Sequence, residues 1–205
     1  MSRLFLIVSC LIALPLMTSA VIGHGKYDQQ FLPFDLRPVS GFVGKWEATS
    51  VSGTGAENFP FGKIVDFGID PVPMFGARAL NYTGTTYAPG EGVWSNDTHI
   101  VHQEYGFLPV RNKTRINPQV LLAFLTTAME GYSIVELGLL DGNSIRLDLN
   151  KFMSRSFQVN MNGNFQVFEL QREWRLNGAF LDQQVKALTS YGRSDFIVTY
   201  QKIAP

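Results

Sequence analysis

Sulfur chemistry is almost absent from this chain: the single cysteine, Cys10, lies in an N-terminal stretch unlike the rest in composition. Without it, thiol nucleophiles, zinc–thiolate centres, iron–sulfur clusters and a disulfide framework are excluded together. Excess charge is missing as well. Lys and Arg total 17 against 17 Asp and Glu, with no basic run that would follow a phosphate backbone, so nucleic acid is not an expected partner. Histidine is scarce, at His24, His99 and His102 only. No phosphate-binding glycine loop, His-Glu-x-x-His zinc motif or Gly-x-Ser-x-Gly nucleophile elbow occurs, which removes the commonest hydrolase signatures. Internal repeats and low-complexity tracts are lacking. What remains is 205 residues, 45% apolar, enough for one globular domain with a sizeable core.

The longest apolar run is Leu4 to Leu16, behind Arg3 and ahead of the small residues Thr18-Ser19-Ala20. At about 13 residues it is shorter than the roughly 20 needed to span a bilayer as a helix, and its flanks are those of a secretory signal peptide. Residues 1–20 are therefore expected to be removed. The mature protein would begin near Val21, without a stable membrane anchor, in the extracellular space or the secretory lumen. Three sequons agree with export: Asn81-Tyr82-Thr83, Asn96-Asp97-Thr98 and Asn112-Lys113-Thr114.

Residues 21–40 are mixed in character, and Pro33 and Pro38 interrupt any regular element, so they read as an entry arm to a domain over 41–205. Val43 to Ala48 alternates like a strand until Ser52-Gly53-Thr54-Gly55 breaks it. Later, Asp141-Gly142, Asn162-Gly163 and Asn177-Gly178 are hairpin dipeptides. They delimit strands over roughly Tyr132 to Leu140, Ser144 to Leu149, Phe157 to Met161, Phe165 to Leu176, Ala179 to Thr189 and Asp195 to Lys202. Along Phe165 to Leu176, the residues Phe168, Leu170, Arg172, Trp174 and Leu176 share the core face. Pro118 to Met129 fits strand or helix by period, and strand is the preferred reading. The chain is thus expected to be all-β, an antiparallel up-and-down barrel of about ten strands around an interior cavity, with a β-sandwich as the alternative.

Several segments in order and spacing resemble the nitrobindin family, small haem-binding β-barrels that also form the C-terminal domain of a THAP-type zinc-finger protein. They are Gly44-Lys45-Trp46, His102-Gln103-Glu104-Tyr105-Gly106-Phe107-Leu108, Val135-Glu136-Leu137-Gly138, Gln171-Arg172-Glu173-Trp174-Arg175-Leu176 and Val198-Thr199-Tyr200-Gln201-Lys202. The resemblance implies haem b held in an apolar cavity by a histidine near the C-terminus, and with it nitric-oxide binding or conversion of peroxynitrite to nitrate. Counted back from Pro205, that histidine position falls on Asp195, and no histidine follows His102. A carboxylate is seldom the only protein ligand of haem iron.

Candidate site residues follow from both sources. His102 matches a cavity-lining histidine of the family and is a candidate ligand or metal donor. It shares a strand face with Glu104 and Gly106 that either points outward or forms a polar part of the interior, since Val101, Gln103, Tyr105 and Phe107 are the bulkier set. Arg172, on an apolar face, needs a carboxylate or an aromatic ring, and Glu104 and Trp46 are the expected partners. Leu181, Gln183, Val185 and Ala187 share one face and are read as lining or filling the cavity. Asp195 is either a ligand-side residue or a solvent-facing one, because Phe196, Val198 and Tyr200 supply that strand's core contacts. Tyr191 is the other metal candidate, as a tyrosinate. The functions in view are a secreted binding protein for haem or another small apolar ligand with altered haem ligation, a haem-dependent peroxynitrite isomerase, and an interaction protein with a filled barrel.

Overall fold

The computed structural model describes residues 25–55, 63–69, 78–89, 98–154 and 165–205. Ten strands follow one another: β1 (Gly44–Thr54), β2 (Lys63–Ile69), β3 (Ala79–Pro89), β4 (Thr98–Arg111), β5 (Val120–Ala128), β6 (Tyr132–Asp141), β7 (Ser144–Ser154), β8 (Val167–Asn177), β9 (Phe180–Thr189) and β10 (Gly192–Ala204). Each pairs antiparallel with its neighbours in sequence, and β1 with β10 closes the barrel. Closure leaves no sheet edge to be protected. The residues called a leader, and the sequon at Asn96, lie outside the described residues. Among the described residues no helix is long and apolar enough to cross a membrane.

Asn162-Gly163 lies outside the described residues, and the other two turn dipeptides act one residue later than expected. Asp141 and Asn177 are the last paired residues of their strands, and the two-residue loops are Gly142-Asn143 and Gly178-Ala179. Glycine leads both loops, with φ of +56° and +61°, where a Cβ would be strained. Pro118 to Met129 resolves as a strand: Val120, Leu122, Phe124, Thr126 and Ala128 are buried in strict alternation. Its apolar doublets arise because Leu121 and Leu125 occupy the outer face.

Two expectations change. Phe168 is exposed, whereas Leu170, Arg172 and Trp174 are buried. A bulge between Val167 and Glu169 inserts one residue into β8 and turns Phe168 outward. The separate strand at Phe157 to Met161 lies outside the described residues, and β7 itself pairs directly with β8. The arm is also more regular than its prolines suggest: a 3-10 helix, Phe34–Phe42, contains Pro38 and buries Leu36, Val39 and Phe42. Pro38 has no N–H for the Asp35 carbonyl three residues back, which accepts instead from Asn112 Nδ2 at 3.0 Å.

That helix packs where β1, β3, β5, β7 and β9 begin, and makes this the closed end. Here Phe42, Trp46, Phe67, Leu80, Tyr82, Leu108, Phe124, Ile145, Trp174 and Tyr200 are almost fully buried in one cluster. The rings meet edge to face, Phe67 with Trp174 at 5.4 Å and Tyr82 with Phe124 at 4.8 Å between centroids. Side chains fill this half. At the opposite end, Ala48, Val51, Tyr132, Leu149, Phe152, Val167 and Ala187 border the same core but are only partly buried.

Candidate functional site

Between the two ends lies a layer of charge. On β4 the inward face is His102, Glu104, Gly106, Leu108 and Val110, while Tyr105 and Phe107 point to solvent. The bulkier face of that strand is therefore the outer one, and His102 and Glu104 form a polar part of the interior. Across the barrel, β8 sends in Arg172 between Leu170 and Trp174. Its Nε donates to Glu136 Oε1 at 3.2 Å, its Nη1 lies 3.8 Å from Glu104 Oε2, and the guanidinium sits 5.2 Å from the Phe124 ring centre. Glu104 is thus a partner as expected. Trp46 is not: its ring is covered by Lys202, its neighbour across β1 and β10, and its Nε1 donates to the carbonyl of Phe42.

His102 lies between two carboxylates, with Nε2 3.0 Å from Glu104 Oε1 and Nδ1 against Glu130 Oε1. Burial alone would lower its pKa, but the hydrogen bonds to Glu104 and Glu130 outweigh it and raise the value to about 9. At neutral pH the ring is an imidazolium with both N–H groups donated. Burial pushes Glu104 upward, yet His102, Arg172 and Lys63 together hold it well below the usual carboxylate range. For Glu136 burial wins over Arg172, and its pKa stands above the ordinary one. Buried Lys63 is lowered to about 8, by desolvation first and then Arg172, against the pull of Glu104.

Tyr82 donates to Glu104 Oε2 at 3.3 Å, and Tyr200 donates to Gln183 Oε1 at 2.8 Å. Among the described residues, Glu130 Oε2, Glu136 Oε2 and Gln183 Nε2 are buried without a hydrogen-bond partner. Such atoms call for a water or a ligand group. Gln183 was expected on this face, and Glu136 was legible in principle as a lone polar residue on an apolar strand face, the argument already applied to Arg172.

The remaining candidates divide by face. Leu181 and Val185 are buried inward with Gln183, and Ala187 follows, half-buried, toward the open end. Asp195 stands on the outer face, its side chain 50% exposed, accepting from Gln184 Nε2 at 3.0 Å and lying 3.8 Å from Lys186 Nζ. Phe196, Val198 and Tyr200 take that strand's inward positions. Tyr191 is exposed in the β9–β10 turn, stacked on Phe165. His99 is exposed, and His24 lies outside the described residues. Among the described residues no group of three His, Cys, Asp or Glu side chains is placed to hold a metal ion.

The β7–β8 ladder stops at Asp148 and Gln171, although both strands continue. A groove of about 450 Å³ lies there, lined by Leu149, Leu170 and Ala187 from the inner face and by Gln171, Lys186 and Asp195 from the outer one. An unbroken ladder would separate those two sets.

The model of the THAP4-like, heme-binding beta-barrel domain matches residues 35–196. No curated protein matches the chain. Among solved structures, Rv2717c from M. tuberculosis is similar with a TM-score of 0.58 and 17% identity, over 83% of this chain and 98% of that one. That is a likeness of fold. A looser likeness, with a TM-score of 0.34 and 16% identity over 80% of this chain and 100% of that one, is to the zebrafish ileal bile acid-binding protein complexed with cholic acid.

Proposed function

The chain belongs to the THAP4-like, heme-binding β-barrel family, and on that premise we propose that it is a secreted binding protein whose open end takes haem or another small, largely apolar molecule without a histidine anchor on the iron. The observation that carries the reading is the state of His102. Both ring nitrogens are engaged by Glu104 and Glu130, and its raised pKa leaves it no lone pair for a metal near neutral pH. Asp195 faces away from the interior, and Tyr191 is held against Phe165 in an exposed turn. The donors among the described residues do not fit the family's usual haem ligation.

Binding itself keeps its support. Leu149, Leu170, Val185, Ala187 and Phe196 give an apolar wall with residual exposure, as a pocket for a greasy ligand requires. Beneath them the charged layer provides fixed donors and acceptors for one polar group of that ligand. The filled-barrel reading finds its support in the closed half only, where the aromatic cluster occupies the centre. Export rests on Leu4 to Leu16 and the sequons.

Titration of the mature protein with hemin and with an environment-sensitive apolar dye tests the reading. Hemin is expected to bind weakly and to compete with the dye, with a Soret spectrum unchanged in His102→Gln and in Tyr191→Phe. A spectrum that collapses in either variant would show an iron ligand where none is proposed. Uptake of neither hemin nor dye would leave the filled barrel as the better account.

A further inference from the structure

We propose that the exposed apolar face on the outside of β4, β5 and β6 is covered by an N-linked oligosaccharide carried on Asn81, a proposal that rests on the export reading above. The face is unusual for a sheet surface turned to water, where polar side chains are expected to alternate with the core. Tyr105 is 50% exposed, Phe107 46%, Leu125 40% and Leu137 46%. They are contiguous: Phe107 pairs with Leu125 across β4 and β5, Leu125 with Val135 across β5 and β6, and Leu137 is the next outward residue along β6. An apolar patch of this kind marks a surface that something covers.

The register names the occupant. Asn81 pairs with Phe107 and Thr83 with Tyr105 across β3 and β4, so a sequon runs along the border of the patch about 5 Å from its first row. Leu80 and Tyr82 are buried inward, which sets Asn81 and Thr83 on the outer face. On the other side Asn81 faces Gly68, which has no side chain of its own and is overlain by the side chain of Lys26. Among the described residues none accepts a hydrogen bond from the Asn81 amide nitrogen, while its Oδ1 is buried and has no partner there. Asn112 differs, because its Nδ2 donates to the carbonyl of Asp35 at 3.0 Å. Glycosylation joins the Asn81 amide nitrogen to the anomeric carbon of an oligosaccharide. The bond from that carbon to a lipid diphosphate breaks, the lipid diphosphate leaves, the amide loses one proton, and no oxidant is needed. Sugar rings present flat C–H faces that suit Tyr105 and Phe107, while their hydroxyls face water.

The test uses the full chain secreted from a glycosylating eukaryotic cell, once with its own first twenty residues and once behind a foreign leader. Peptide mass analysis is expected to find Asn81 occupied in the foreign-leader protein, and unoccupied in Thr83→Ala, which keeps Asn81 itself. Trimming the glycan enzymatically from the folded protein, with no substitution, is expected to raise fluorescence of an apolar dye severalfold and to produce self-association in sedimentation velocity. An unmodified Asn81 peptide overturns the proposal, as does a trimmed protein that matches the intact one in both measurements. Secretion with the foreign leader alone would overturn the export reading and the glycan cover with it, and an occupied Asn81 would then show only that the site accepts an oligosaccharide.

Discussion

The two ends of this barrel are made from the same ten strands and differ in what their inward side chains do. At the closed end aromatic rings meet one another, and the 3-10 helix seals them beneath Phe42 and Leu36. Toward the open end the inward positions become smaller or polar, from Trp174 to Arg172 on β8 and from Leu181 through Val185 to Ala187 on β9. A β-barrel is thus stabilised by half of its interior. The other half is released to hold charge and to receive a ligand.

The largest test of that division is Trp174→Ala. The side chain is buried against Phe67, Tyr82 and Tyr200, with ring centroids 5.4 to 6.3 Å away. Its removal is expected to cost about 3–5 kcal/mol, as other buried tryptophan truncations do. Denaturant midpoints should reveal the loss while dye binding at the open end persists under native conditions. A loss below about 1 kcal/mol would mean that the closed end does not carry the fold.

The charged layer should make stability depend on pH in a way that the aromatic end cannot. His102 has a folded pKa of about 9 against 6.5 unfolded, so its contribution is complete below pH 6.5 and is lost as pH rises through 9. Lys63 acts oppositely. Its folded pKa of about 8 lies below 10.5, so the unfolded chain holds more protons between those values and stability rises across that window. Stability should therefore fall from pH 6.5 to 8 and level off where the windows overlap. The difference between the parent and His102→Gln, about 1–3 kcal/mol at pH 6, should shrink by pH 9. Glu104 and Glu130 hold the ring, and Arg172 and Lys63 act on Glu104; a pH-independent difference would mean that His102 is not held as an imidazolium.

How much of this was legible in the residues depends on where the alternation breaks. The barrel, its hairpins and the inward set Leu181, Gln183, Val185 and Ala187 follow from period two and turn chemistry, because β9 runs without a bulge from Phe180 to Leu188. Phe168 was misread because the bulge in β8 changes the parity of one residue. Another irregularity, between Val135 and Glu136, obscured the pairing of β6 with β7 beside the Arg172 partner. His102 stayed ambiguous for a different reason. The outer face of β4 carries Tyr105 and Phe107, so bulk no longer distinguished inside from outside. The face that confused the reading of the strand is the one that the Asn81 glycan is proposed to cover.

The smallest expected effect is the most direct comparison of the two ends. Ala187→Leu adds bulk to the inward wall near the open end, where Ala187 is half-buried and borders the groove at the β7–β8 seam. Val198→Leu adds a single methylene to a position with no exposure at all. Filling a packed interior costs about 1–3 kcal/mol, because neighbours must leave their rotamers. The larger addition at Ala187 is expected to cost less than about 1 kcal/mol and the smaller one at Val198 more, an inversion that only unfilled space explains. Dye and hemin affinity should fall in Ala187→Leu and not in Val198→Leu. Equal costs at the two sites would mean that the interior is packed from one end to the other.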